Sequence, residues 1–478
     1  MNPEKRDKFI LWSCIGAFAL INLLCIWWKS FLYFPAISLV LLLVYLLIYR
    51  VDWLMYVMAF VTPLSVVINA ENIRLGISLP SEIIMIAITF LFLCRVLYDL
   101  NMNRKLVTHP ISIAIYAYLL WMFVTCITSE QPIVSFKFLA SKVWFITSCY
   151  FMVLQLMQKD MKNARTFFDS YLVGLVIVVI YTTTRHAMRG FSEVSGHWVM
   201  TPFYNDHTAY GAVLAFFIPI VAGFFFQAEQ KGRKLFYLVC EVFLLTGLYL
   251  SYCRAAWISV IAMFGVWLVM KLRIKFSLLL LFALLSGTVF YFSADDILYR
   301  MGRNSNETSG NLTEHIQSMS NIRTDASNVE RLNRWTSAMG MIEERPVFGW
   351  GPGTYQFVYA SFQKSKYQTI ISTDFGNGGN AHSEYLGPCA ETGIIGLLTV
   401  LALLVISMYS GIRAYSRIPN GFRRSMALCM TLALVTYFIH GFLNNFLDTD
   451  KLSLPFWAAF AVIAMISVEQ NDNTAATT

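Results

Sequence analysis

Apolar runs long enough to cross a bilayer follow one another along almost the whole chain, and this succession limits the fold to a bundle of membrane-spanning helices. A helix needs about 17–25 largely apolar residues to cross the hydrocarbon core, where every backbone polar group must be satisfied internally. Fourteen candidate spans begin near residues 9, 31, 52, 81, 111, 139, 167, 209, 235, 255, 276, 392, 425 and 454. Only 13% of the residues are charged, whereas soluble domains carry about 25%. The expected fold is therefore an all-α polytopic membrane protein of about 14 transmembrane helices. The first run, Phe9 to Trp28, lacks a small-residue cleavage site and reads as a retained span.

The basic residues sort by joint. Lys5, Arg6, Lys8, Arg50, Arg95, Arg104, Lys105, Lys159, Lys162, Arg165, Lys231, Arg233, Lys234, Lys271, Arg273, Lys275, Arg413, Arg417, Arg423 and Arg424 all fall on one face. By the positive-inside rule that face is cytoplasmic, and both termini share it. The net charge of +8 thus reads as topology and calls for no nucleic-acid partner. On the opposite face the joints are short except for two: Arg185 to Thr208, and the segment 294–391. Extended loops in compact folds are usually binding or lid elements, so function is expected there. Three parts follow: 1–200, seven spans and an outer loop; 201–411, a core including extracytoplasmic loop 294–391; and 412–478, the last two spans and a cytoplasmic tail.

Within the long loop, Ser327-Asn-Val-Glu330 reads as a capping box. The helix that follows should bury Val329, Leu332, Trp335, Met339 and Ile342 on one face, project Arg331 and Arg334 together, and end at Arg345-Pro346. The stretch from Gly302 to Ser327 is rich in Ser, Asn and Thr and reads as a mobile segment. Gly349-Trp-Gly-Pro-Gly353 is a turn cluster without the Lys-Ser/Thr of a phosphate loop. The nine cysteines lie mostly inside apolar runs with no Cys-x-x-Cys pair, and no His/Cys/carboxylate group has ligand spacing. No disulfide framework, metal or cofactor is expected.

Six of the seven histidines lie on or near the outer face. His382 is the main candidate base: with Asn380 as N-cap it should occupy the first turn of a helix, where the positive dipole end keeps an imidazole neutral. Arg254, in a short outward turn between two apolar helices, is either a ligand for an anion or a snorkelling side chain meeting headgroup phosphates. Lys142, Arg74, Arg185, Arg331 and Arg334 complete an outer cationic set suited to a lipid-borne pyrophosphate, because guanidinium forks pair with phosphate oxygens. Asn205, Asp206, His207 and Thr208 form a polar run at a span entry, either an N-cap cluster or a sugar-contacting site. His440 and Asn444 face the same outer cavity or form a buried interhelical hydrogen bond. Glu241 reads as a packing or pairing residue. Asp448-Thr-Asp450 has Asp-x-Asp spacing, but on the side of the membrane without nucleotide sugars.

These stretches resemble the O-antigen ligase/polymerase superfamily of bacterial membrane glycosyltransferases. Ser251-Tyr-Cys-Arg-Ala-Ala-Trp257 is similar to the family's Thr-Gly-Ser-Arg-Gly-Ala pattern, and Pro346 to Gly353 to its Pro-x-x-Gly-x-Gly turn. Ala381-His-Ser-Glu-Tyr-Leu386 with Gly393-Ile-Ile-Gly396 is similar to its Ala-His-Asn and Glu-x-Gly-x-x-Gly ending, and Asn205-Asp-His-Thr208 to its Asn-x-x-x-Ala entry. The resemblance implies metal-independent, inverting transfer of a glycan from an undecaprenyl-pyrophosphate carrier to an acceptor hydroxyl, on the outer face of the bacterial inner membrane. It implies His382 as base and Arg254 on the pyrophosphate, with Asn205, Asp206, His207 and Glu384 as glycan or acceptor contacts. The acceptor is lipid A-core in a ligase; a polysaccharide polymerase or a protein O-oligosaccharyltransferase would use the same donor chemistry. A flippase of lipid-linked sugars is the reading from another class, against which no internal repeat is found.

Overall fold

The computed structural model describes residues 33–70, 75–98, 102–274, 326–365 and 379–475, with four isolated helical positions near the start. Two compact units result, residues 1–58 and 59–478. In the first, helix α1 (Tyr33–Tyr49) is followed by the start of α2 (Val51–Val61), with Arg50 and Asp52 paired at 3.6 Å. The expected first span, for all but those isolated positions, and the eleventh lie outside the described residues, as do Arg74, His315 and most of the Ser/Asn/Thr-rich stretch.

The second unit carries α3 (Ser81–Tyr98), α4 (Pro110–Ile127), α5 (Pro132–Lys159), α6 (Lys162–Ala187), α7 (His207–Gln227), α8 (Lys231–Leu250), α9 (Arg254–Leu272), α10 (Ala326–Glu344), α11 (Leu386–Arg417), α12 (Phe422–His440) and α13 (Asp450–Ala475). Among the described residues nine helices are long and apolar enough to cross a membrane: α3 to α7, α9 and α11 to α13. The helices at the expected second, third and ninth spans, α1, α2 and α8, are not among these nine. The third is cut short, because Pro63 follows and Val66–Ala70 (β1) pairs with Leu75–Leu79 (β2) as an antiparallel hairpin. The expectation of an all-α chain is corrected at this point. The β-branched run Val66-Val67-Ile68 favours extended backbone, and a Pro in a short helix ends it.

Helix α13 is the axis of this unit. It is apolar all round from Leu452 to Val468 and almost wholly buried, as a helix without a polar face must be. Small residues bring its neighbours close: a Cβ on Gly223 of α7 would fall 1.8 Å from the Cys429 sulfur of α12. At its N-terminal end, Asp450 accepts hydrogen bonds from the hydroxyls of Ser65 (2.7 Å), Ser78 (3.0 Å) and Ser81 (2.5 Å). Beside it the Lys451 ammonium donates to the carbonyls of Thr62 (2.8 Å) and Ser65 (2.6 Å). The Asp-x-Asp spacing therefore marks an anchor for the hairpin: Asp450 is buried among hydroxyls.

Helix α11 is broken at Gly393, whose φ of 72° belongs to the left-handed region that favours glycine. The break frees backbone groups, and the Pro346–Gly351 turn takes them. Ile394 N–H donates to Pro346 O (2.8 Å), Trp350 N–H to Ala390 O (3.2 Å) and Gly351 N–H to Glu391 O (2.7 Å), while Trp121 Nε1–H donates to Thr392 O (2.8 Å). A Cβ at Gly393 would lie 1.9 Å from Val347 O, so the approach requires glycine. The two glycine motifs of the sequence are thus one joint.

Candidate active site

The loop from Gly379 to Tyr385 carries His382 and is held from both sides. Asn380 Oδ1 accepts from His382 N–H (3.1 Å) in an Asx turn, and His382 itself has φ 47°. Ser383 Oγ accepts from the N–H groups of Tyr385 and Leu386, both at 3.3 Å, and so caps α11. The expectation that Asn380 caps a helix containing His382 is corrected: α11 begins at Leu386, and the histidine stands ahead of it in a left-handed turn. An Asx turn competes with N-capping for the same amide oxygen.

Arg334 of α10 fastens this loop. Its Nε donates to Glu330 Oε1 (2.7 Å) and Nη1 to Asn380 O (2.9 Å), and its guanidinium lies over the Tyr359 ring at 5.3 Å. A Cβ on Gly379 would meet the same guanidinium at 2.3 Å. The expected face of α10 is also corrected. The helix is present by Ala326, ahead of the expected cap, and Met339 is 54% exposed. The buried face is Glu330, Asn333, Arg334, Ser337, Ala338 and Met341, at helical spacing but largely polar. Paired and hydrogen-bonded, these residues satisfy one another, and apolar periodicity cannot see such a face.

Around His382 gather residues from four distant segments. Asn444 acts on its imidazole, and the Asn444 amide lies 3.1 Å from His440 Nε2. Burial, then the charges of Arg334 and Arg331, hold its pKa down to about 4, with Asp206 and Asn444 opposing. The nearby His207 ring feels both Arg331 and Arg254 and stacks on His197 with ring centroids 4.3 Å apart. Asp206 caps α7, its Oδ1 accepting from the N–H groups of Thr208 and Ala209, both at 2.8 Å. The capping reading of this run therefore holds, yet the Asp206 charge also reaches His382 and His440. Arg254 opens α9 after the three-residue turn Ser251–Cys253. A cation at a helix N-terminus favours a nearby anion.

The structure brings His382, Arg254, Arg331, Arg334, Asp206 and His207 together and places other candidates elsewhere. Asn205 is exposed. Arg185 Nη1 donates to Val199 O (3.3 Å), Thr201 Oγ1 (3.1 Å) and Thr201 O, and its guanidinium lies over Trp198 at 5.2 Å, so it ties down the 198–201 turn. Lys142 donates to Leu447 O (2.7 Å) and Asp448 Oδ1 (2.8 Å). Glu384 Oε1 accepts from Phe446 N–H (2.9 Å), Leu447 N–H (3.0 Å) and the Tyr437 hydroxyl. Both bind the 441–449 joint instead of joining the arginines. The role of Arg334 on the loop carbonyl was missed; its Glu330 partner, four residues earlier, was the available signal. Among the described residues no group of three or more His, Cys, Asp or Glu could hold a metal.

Among curated proteins no relative is found. Residues 239–401, about a third of the chain, match the family model described as O-antigen ligase, a stretch that contains Arg254, Arg331, Arg334, His382 and Glu384.

Proposed function

We propose that this protein moves a glycan from undecaprenyl pyrophosphate to an acceptor hydroxyl on the outer face of the bacterial inner membrane, with both termini cytoplasmic. The observation that carries the reading is one neutral imidazole, His382, facing the arginines of α10, with Arg254 of α9 reaching the neighbouring His207. In a single inverting displacement the acceptor hydroxyl gives its proton to His382 as its oxygen attacks the anomeric carbon. The bond from that carbon to pyrophosphate breaks, and the electron pair leaves with the phosphate. Arg254 and Arg331 meet the growing negative charge, and Asp206 balances the imidazolium. A base of this kind contributes about 10²–10⁴-fold, and cationic stabilisation and positioning supply the rest.

The depressed pKa fits this role. In the empty site the arginines discourage a second positive charge on His382. A bound pyrophosphate cancels them, so the donor itself raises the basicity of the imidazole.

Among acceptors, lipid A-core is the one we propose, on the ligase description of the matched family. The test is His382→Ala in cells, with surface glycan and carrier-linked glycan both measured. Long chains stranded on the carrier support the ligase reading. Single repeats transferred to the acceptor would make it a polymerase, a defect confined to glycosylated protein would make it a protein transferase, and unchanged glycan would remove His382 as base. With purified protein and lipid-pyrophosphate glycan, transport without bond formation would replace the enzyme with a flippase.

A further inference from the structure

The loop that carries His382 is seated on the end of α12. Tyr385 Oη donates to Phe438 O (2.8 Å) and Glu384 N–H to Gly441 O (2.8 Å), while the Glu384 carboxylate takes the N–H groups of Phe446 and Leu447. From α5, Lys142 holds Leu447 O and Asp448. The joint 441–449 between α12 and α13 is thus gripped near both ends, and Asn444 stands in the interval.

Asn444 and His440 are each only 1% exposed. The backbone N–H of Asn444 donates to His440 O (3.2 Å), which keeps it one turn beyond the histidine, and its side-chain amide nitrogen lies 3.1 Å from His440 Nε2. An amide NH₂ can only donate, so Nε2 of His440 accepts, and this ring when neutral carries its proton on Nδ1. The nitrogen of the amide is spent there, and its oxygen turns the other way. The influence of Asn444 on His382 has the sign of an acceptor: like Asp206 of the α7 cap it favours the protonated ring, against Arg334 and Arg331 of α10. A ring that is to take a proton at one nitrogen must carry its own at the other, and the hydrogen bond made there selects the tautomer. A carboxylate in that place would also hold the ring protonated, whereas an amide orients it and leaves it neutral. Both His440 and Asn444 lie beyond residue 401, outside the matched stretch.

We propose that Asn444 is a positioning residue for the transfer: its amide oxygen accepts the N–H of His382 and leaves the other ring nitrogen to the hydroxyl proton, while His440 fixes which way the amide faces. The inference rests on the reading of His382 as base. Full-length purified protein is assayed with undecaprenyl-pyrophosphate glycan and lipid A-core. Asn444→Leu should lower kcat about tenfold, the worth of one neutral hydrogen bond, with KM for the donor little changed. Asn444→Asp restores an acceptor and should recover most of the rate, and its charge should move the acid limb of kcat/KM upward from its place near pH 4. Added to His382→Ala, Asn444→Leu should have no further effect, because it acts through the ring. A second readout does not use transfer. In protein isotope-labelled at its histidine nitrogens, the resonance that His382→Ala removes should show one neutral tautomer in wild type and a mixture in Asn444→Leu. Thermal unfolding checks the fold, and where Asn444→Leu unfolds early, Asn444→Ala replaces it with the same losses expected. Unchanged kcat in Asn444→Leu, a further loss in the double variant, an unmoved limb in Asn444→Asp, or a tautomer that Asn444→Leu leaves as it was would overturn the inference. Transfer retained by His382→Ala would remove the base reading and leave the tautomer to decide the contact with Asn444, so the two readings fail separately.

Discussion

The two sides of the loop from Gly379 to Tyr385 make opposite electrostatic choices within a few residues. On one, His382 faces the arginines of α10; on the other, Glu384 and Glu391 both feel the charge of Asp448, with one lysine, Lys142, for relief. Burial acts alike on both, lowering His382 and raising Glu384, since it penalises whichever form is charged. The difference lies in the neighbours. The cationic side gathers positive charge that an anion would neutralise, whereas the acidic side spends most of its polar groups on its own backbone. One short loop thus carries residues of both kinds.

The comparison breaks most easily at the histidine. His382→Ala should lower transfer by about 10²–10⁴-fold with the thermal unfolding midpoint little changed, as measured with purified protein and lipid-pyrophosphate glycan. On the acidic side the larger effect should fall on stability. Glu384→Ala strands the amides of Phe446 and Leu447 and the Tyr437 hydroxyl, which should cost about 1–3 kcal/mol per stranded group, read as an earlier unfolding midpoint. Glu384→Gln should recover much of it. Arg254→Lys keeps the charge and loses the fork, so transfer at low donor concentration should fall about tenfold, and full activity would rule out a forked phosphate contact. The smallest effect is on pH. A base must be deprotonated, and the pKa of His382 is about 4 in the free site, so kcat/KM should hold down to that region and fall below it. Arg331→Gln removes a charge that lowers this pKa and should move the acid limb of kcat/KM upward; an unmoved limb would separate Arg331 from the histidine.

Much of the frame was legible because a bilayer imposes a length and a hydropathy that local sequence must meet. The nine candidate spans among α3 to α13 coincide with apolar runs. What escaped depends on pairings across hundreds of residues. Nothing local shows that Ser65 and Asp450 share a hydrogen bond, or that Lys142 ends on Asp448 instead of a phosphate. The buried face of α10 escaped for another reason: Glu330, Asn333 and Arg334 are buried by satisfying one another, and hydropathy scores them as solvent-facing. The hairpin was lost to the assumption that every apolar run is a helix.

The turn seated in the α11 break has a mechanical consequence. Three backbone hydrogen bonds join Pro346–Gly351 to the stretch 390–394, and Arg334 joins α10 to the loop ahead of α11. The described parts, α10, the 346–351 turn and the loop 379–385, are therefore tied together, and His382 cannot swing independently of the α10 arginines that face it. Trp121 of α4 and Tyr437 of α12 hold the same segment from its other sides, so that the base and the α10 cations keep one relative position.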